Sequence, residues 1–106
     1  MTGTRPRLIR PPYGKDVARV ARVGHDAGLA PTVLWSAQAW DWEETSADWI
    51  AERIVSDARP GGIALLHDGA PPYDDRPRDA TVAALAQILE RLADWELVTV
   101  SELLEA

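Results

Sequence analysis

Cysteine is absent from the chain, which excludes disulfides, thiol nucleophiles and Cys-based zinc sites. This leaves the compartment open, because Cys-free proteins occur on both sides of a membrane. Histidine is scarce: His25 and His67 are the only two in 106 residues. No apolar run approaches the roughly 18–20 residues that span a bilayer. Met1 to Arg10 is polar and Pro-containing, without the apolar stretch of a signal peptide, so the expected location is cytoplasmic. Basic charge is also thin. Against 17 Asp and Glu stand 11 Lys and Arg, a net charge of −6 with no basic patch, which makes nucleic acid and anionic membranes poor partners. The acidic excess is dispersed and serves solubility. Repeats, low-complexity segments and a dividing linker are missing too, so the chain is one domain or part of one. A hydrophobic fraction of 46% supports a small core.

What is present is organised around Gly61-Gly62-Ile63-Ala64-Leu65-Leu66-His67-Asp68-Gly69. The glycines start a short apolar run that reads as a buried strand, and the run ends by delivering His67 and Asp68 into a Gly/Pro-rich loop. Alternation places Ile63, Leu65 and His67 on one face and Ala64 and Leu66 on the other. Taken alone, His67 reads as a strand-end histidine satisfied by a backbone carbonyl.

In chain order, Arg7 to Arg10 is a short extended stretch, kept out of helical geometry by the prolines that follow. Pro11-Pro12-Tyr13-Gly14 is a rigid turn. Residues 16–27 read as a helix with Asp16 at its N-terminus, an apolar stripe of Val17, Val20, Ala21 and Gly24, and Gly28 just past its end. His25 supplies a favourable C-terminal charge there. Pro31 to Trp35 is a second strand, and residues 36–44 form an Ala/Trp-rich loop containing Trp40-Asp41-Trp42. Thr45-Ser46-Ala47-Asp48 has capping-box spacing and opens a helix to about Ala58, with Trp49, Ile50 and Ile54 inward. After the strand ending at His67 comes a loop from Asp68 to Pro77, long enough to be functional. Residues 78–94 give the clearest helix, with Val82, Leu85, Ile88, Leu89 and Leu92 at helical spacing. Glu96 to Val100 reads as a last strand, and Ser101 as the cap of a final helical turn carrying Leu103 and Leu104.

The order is β-α-β-α-β-α-β-α, an α/β class in which parallel pairing with right-handed crossovers is expected. Four such units make a small open sheet or half of a (β/α) barrel. In a parallel sheet, three strand ends with chemistry-bearing residues share one rim: a buried Arg10 with Tyr13, the Trp40-Asp41-Trp42 loop, and His67-Asp68.

Arg10-Pro11-Pro12-Tyr13-Gly14, Asp41-Trp42 and Ile63-Ala64-Leu65-Leu66-His67-Asp68 resemble the third, fourth and fifth motifs of the polysaccharide deacetylases, the NodB-homology enzymes of carbohydrate esterase family 4. The likeness runs from Arg7 to Leu104. It implies that residues 1–106 are the C-terminal portion of a NodB-like domain, with parallel β/α units forming about half of a distorted (β/α) barrel. The implied chemistry is metal-assisted hydrolysis of N- or O-acetyl groups on glycans. On matching positions, His67 is similar to the general acid that protonates the leaving amine, a role suited to an imidazole. Asp41 matches the carboxylate that orients it. The Tyr13 backbone N–H matches the oxyanion donor, and Arg10 the residue paired with the catalytic base. Leu65 matches the lining of the acetyl-methyl pocket, Trp42 walls the sugar groove, and Pro12 belongs to the rigid turn beside the substrate.

The family's first two motifs, Thr-Phe-Asp-Asp-Gly-like and His-x-x-x-His-like, are expected upstream of Met1. They supply the base and the ligands of a divalent metal such as zinc, which two histidines cannot reproduce. The expectation is an acid half without its base half, inactive alone; family members are often exported. The alternative reading is a non-catalytic glycan-binding or interaction module that keeps the aromatic-walled groove. A half barrel also leaves open parallel edges, which predicts self-association or an N-terminal half as partner.

Overall fold

A computed structural model describes residues 2–43 and 46–106. Two compact units divide between Leu34 and Trp35. The first unit contains a 3₁₀ turn, Pro12–Gly14, and the helix α1, Val17–Asp26. The second contains α2 (Ala47–Asp57), α3 (Asp79–Arg91) and α4 (Val100–Glu105).

In the first unit, α1 ends as its sequence predicts. Gly28 takes φ +80°, the Gly28 N–H donates to the His25 carbonyl at 2.9 Å, and the Leu29 N–H donates to the Gly24 carbonyl at 2.7 Å. These are the two reversed bonds that satisfy orphan carbonyls at a glycine-terminated helix. The other end differs from expectation. Asp16 sits in left-handed geometry at φ +51°, and its side chain makes no capping bond. Gly24 is buried because a Cβ there would lie 3.0 Å from Ile9 Cγ2 and 3.2 Å from the Leu29 carbonyl oxygen.

The core of the second unit is built by α2 and α3. Ile50, Ala51 and Ile54 of α2 meet Ala84, Ile88 and Leu92 at α3, with Ala37 and Ala39 from the segment before α2. Ile50 and Ile54 are fully buried, each contributing roughly 1.5–3 kcal/mol. Ser46 caps α2 by accepting the Trp49 N–H at 3.2 Å; Thr45, the other residue of the capping signal, lies outside the described residues. At the rim of the same interface, Gln87 donates to Asp48 at 2.9 Å and Arg91 to Glu52 at 2.8 Å.

The anticipated strands are reduced to extended segments. Ile9 pairs with Thr32 and Ala37 with Ala64, both in parallel, as isolated bridges; no longer ladder forms among the described residues. Proline accounts for the brevity of the first pair. Pro11, Pro12 and Pro31 have no N–H to continue a ladder, which leaves the bonds from Ala30 N–H to Arg7 O and from Val33 N–H to Ile9 O. The parallel sense agrees with the α/β reading, while no formed half-barrel sheet is seen among the described residues. Residues 96–99 form neither a strand nor a bridge, and Val100 already opens α4. Its cap is Thr99 and not Ser101: Thr99 Oγ1 accepts the Glu102 N–H at 3.2 Å, and Glu102 Oε2 accepts the Thr99 N–H at 2.7 Å. That backbone bond, followed by the Thr99 hydroxyl bond, holds the Glu102 carboxyl below its usual range.

Two inward faces also rotate. Trp49 is exposed, against expectation, because the α2 core face is Ile50, Ala51 and Ile54. On α3 the buried positions are Thr81, Ala84 and Ile88, while Val82, Leu85 and Leu89 are exposed. Leu85 and Leu89 line an open apolar groove with Trp95, Leu97 and Val98. Among the described residues no helix is long and apolar enough to cross a membrane.

Candidate active site

Asp41 is a carboxylate in the interior, 3% exposed. A buried ionised carboxylate requires hydrogen-bond donors, and it has three. Its Oδ1 lies 2.8 Å from His67 Nδ1. Its Oδ2 accepts the His67 backbone N–H at 2.7 Å and the Thr81 hydroxyl at 2.9 Å. Because an ionised carboxylate only accepts, the short Nδ1 contact places a proton on Nδ1. Nε2 is thereby left as the atom available for proton transfer. The His67 side chain is 37% exposed, so the ring is accessible while its partner is not. The backbone-carbonyl partner expected for an isolated strand-end histidine is replaced by Asp41.

The local chain shape explains how Asp41 reaches this position. Trp40 adopts φ +48°, a left-handed conformation that costs roughly 1–3 kcal/mol in a residue with a bulky side chain. The surroundings hold it there: the Glu43 N–H closes the turn onto the Trp40 carbonyl at 3.0 Å, and the Trp40 ring lies 6.4 Å from Trp49 with the Arg53 guanidinium 5.6 Å from its centre. Trp42, next in the turn, meets the His67 ring edge-on, with centroids 5.4 Å apart and planes at 77°. Trp42 and His67 are therefore brought together as the sequence suggested. Leu65, two residues before His67, is half-buried.

The loop after His67 is held by charge. Asp74 accepts Arg76 Nε at 2.8 Å and Nη2 at 2.7 Å, a bidentate pair. The Arg76 side-chain bond, reinforced by the Arg76 backbone N–H, holds the Asp74 carboxyl far below its ordinary 3.8. Arg78, with its side chain 10% exposed, donates to the carbonyls of Gly69 at 3.1 Å and Trp42 at 3.3 Å and lies 3.6 Å from Asp74.

Arg10 and Tyr13 belong to the other compact unit. Arg10 is exposed, which corrects the expectation of a buried arginine; its Nη2 donates to the Leu34 carbonyl at 3.4 Å. Pro12 and Tyr13 are exposed as well, and Tyr13 takes φ +59° inside the 3₁₀ turn. The turn is closed by the Gly14 N–H on the Pro11 carbonyl at 3.0 Å.

Sequence reasoning missed Thr81 and Arg78. Thr81 had a legible signal: it is the polar member of the series 81, 84, 88 and 92, the face α3 buries. Arg78 had none, because its acceptors are carbonyls distant in sequence.

A divalent metal is what the resemblance implies, and the donor set here does not fit one. Among the described residues no group of three His, Cys, Asp or Glu side chains could hold an ion. Both Asp41 oxygens already accept hydrogen bonds.

The chain as a whole is similar to known proteins. A chitooligosaccharide deacetylase from Sinorhizobium fredii is 42% identical over 93 residues, which are 83% of this chain and 43% of that protein. A peptidoglycan-N-acetylglucosamine deacetylase from Bacillus cereus is 42% identical over 103 residues, 93% of this chain and 46% of its own length. The solved structure of a family 4 carbohydrate esterase from Streptomyces lividans, in complex with acetate, matches with a TM-score of 0.69 at 34% identity over 87% of this chain and 43% of that one. No protein-family model matches the chain. These similarities, together with the motifs, define the class as the carbohydrate esterases. The chain belongs to the polysaccharide deacetylases, carbohydrate esterase family 4. It spans less than half the length of the relatives it matches.

Proposed function

We propose that this chain supplies the acid half of a glycan deacetylation, the Asp41–His67 hydrogen bond being the observation that carries the reading. Asp41 holds Nδ1–H, and the doubly protonated ring gives its Nε2 proton to the amine that leaves as the acetyl C–N bond breaks. Trp42 forms the wall against which a sugar ring lies, and Leu65 lines the space for the acetyl methyl group. The roles assigned to the Tyr13 N–H, as donor to the oxyanion, to Pro12, as a rigid edge of the groove, and to Arg10, as partner of the base, rest on the motif.

In this reading the catalytic base and the divalent cation come from polypeptide outside these 106 residues. A bound cation would activate water and polarise the acetyl carbonyl. The half-barrel arrangement is part of the same proposal, as is self-association that covers its open parallel edges. Light scattering that finds only a compact monomer would count against that last element.

The test is acetate release from an acetylated chitooligosaccharide. The chain alone is expected to be silent at any concentration of added zinc. Release by the chain alone that disappears in His67→Ala would overturn the acid-half assignment and make the chain a complete catalyst.

A further inference from the structure

We propose that the first turn of α3, through Thr81 and Arg78, is the positioning element of the Asp41–His67 pair. Thr81 sets which ring nitrogen of His67 carries the proton, and Arg78 sets where Trp42 stands beside that ring. The purpose of this device rests on the deacetylation reading; its geometry does not.

A carboxylate can rotate about its Cβ–Cγ bond, and two of the three donors on Asp41 belong to His67 itself. Those two move with the residue they are meant to fix. The Thr81 hydroxyl is the independent anchor, because it comes from a helix 40 residues further on. Thr81 is 6% exposed and β-branched, so its rotamer is restricted. A helical threonine commonly returns its hydroxyl to the preceding turn; here it donates to Asp41 Oδ2 at 2.9 Å. With Oδ2 held, Oδ1 faces Nδ1 in one orientation, and one neutral tautomer of the imidazole is selected. Without it the carboxylate swings, and both tautomers become populated.

Arg78 stands at the N-terminal boundary of the same turn. Its planar fork reaches the Gly69 carbonyl, two residues after His67, and the Trp42 carbonyl, one residue after Asp41. One guanidinium therefore joins the two loops on which the pair is mounted, with Asp74 near its third edge at 3.6 Å. Thr81 and Arg78 are positioning residues, not catalytic ones.

The test is nitrogen-15 and proton NMR of the full chain, at a pH where the imidazole is neutral; exposed His25 serves as the internal reference. The wild-type His67 is expected to show the Nδ1–H tautomer alone. Thr81→Val, isosteric without the hydroxyl, is expected to raise the Nε2–H population several-fold in a folded protein, and Thr81→Ser to restore the wild-type signature. Arg78→Gln is expected to keep the tautomer but lose the ring-current shift that Trp42 imposes on His67. A folded Thr81→Val chain with an unchanged tautomer, or an Arg78→Gln chain with an unchanged ring-current shift, overturns the proposal. If Val prevents folding, Thr81→Ala takes its place. If neither folds, Thr81→Ser decides, because mixed tautomers in a folded Ser variant are also fatal. No glycan enters the measurement. Absence of deacetylation therefore leaves this proposal standing, whereas mixed tautomers in the wild-type chain sink it whatever the activity.

Discussion

Asp41 grips His67 at two points: one carboxylate oxygen meets the ring at Nδ1, 2.8 Å away, and the other accepts the backbone N–H of the same residue at 2.7 Å. Ring and backbone of His67 thus meet the same buried carboxylate, which the Thr81 hydroxyl holds from a third side. A histidine held only through its ring could pivot with its backbone; here the backbone is part of the bond set.

Asp41→Ala is accordingly expected to damage the fold as well as the site. It leaves the buried Thr81 hydroxyl and the His67 N–H without this acceptor, at a cost of about 2–6 kcal/mol for two stranded donors. Urea denaturation should show a lower midpoint with an unchanged slope. An unchanged midpoint would mean the carboxylate is stabilised no better than a void.

Gly62→Ala tests the approach to the site from the other side. A Cβ at Gly62 would stand 2.8 Å from Ser36 Oγ and 2.9 Å from the Arg59 carbonyl oxygen. Ser36 Oγ also accepts the Ile63 N–H at 3.0 Å, so the clash pushes on the segment that leads to His67. The expected result is a loss of roughly 1–3 kcal/mol together with a displaced His67 ring resonance. Full wild-type stability would show that the segment yields freely.

In the core, Ile54→Ala is expected to cost about 2–5 kcal/mol, because the fully buried side chain leaves a cavity between α2 and α3. Val82→Ala, at a position 65% exposed on α3, is expected to fall within about 0.5 kcal/mol of wild type. Comparing the two by thermal unfolding checks that Ile54 of α2 is inward and Val82 of α3 outward. A larger loss at Val82 than at Ile54 would reverse the assignment.

Acid should spare the loop after His67. The Asp74 carboxyl is depressed below its ordinary 3.8 in the folded chain, chiefly by the Arg76 side-chain bond. A depressed carboxylate contributes stability that is complete above the unfolded value and is lost only as pH falls through the folded one. The hydrogen-bonded Arg76 Nε–H signal should therefore persist from neutral pH to well below 3.8, and Asp74→Asn should abolish it at neutral pH. Loss of the signal in the wild type between pH 5 and 4 would contradict the pairing.

What could be read from the residues in order is what local rules govern. The three longer helices lie close to where periodicity puts them, and two of their ends follow capping rules: Gly28 ends α1 because a left-handed residue closes that turn, and Ser46 starts α2 because its hydroxyl takes up a free N–H. The motifs naming Asp41, Trp42 and His67 were equally visible. Tertiary structure decided the rest. Ile88 and Leu92 are buried as the periodicity implies, but alanine is weakly apolar, so the pattern also favours Leu85 and Leu89; packing against α2 selects Ala84 instead, because a small residue lets the helices approach. Thr99 displaces Ser101 as a cap because Glu102 reaches back to it. Parallel pairing depends on partners remote along the chain, and proline removes donors from the first pair. Thr81 and Arg78 reach Asp41 and Trp42 across 40 and 36 residues, a relation no local pattern encodes because folding alone brings those groups within hydrogen-bonding distance.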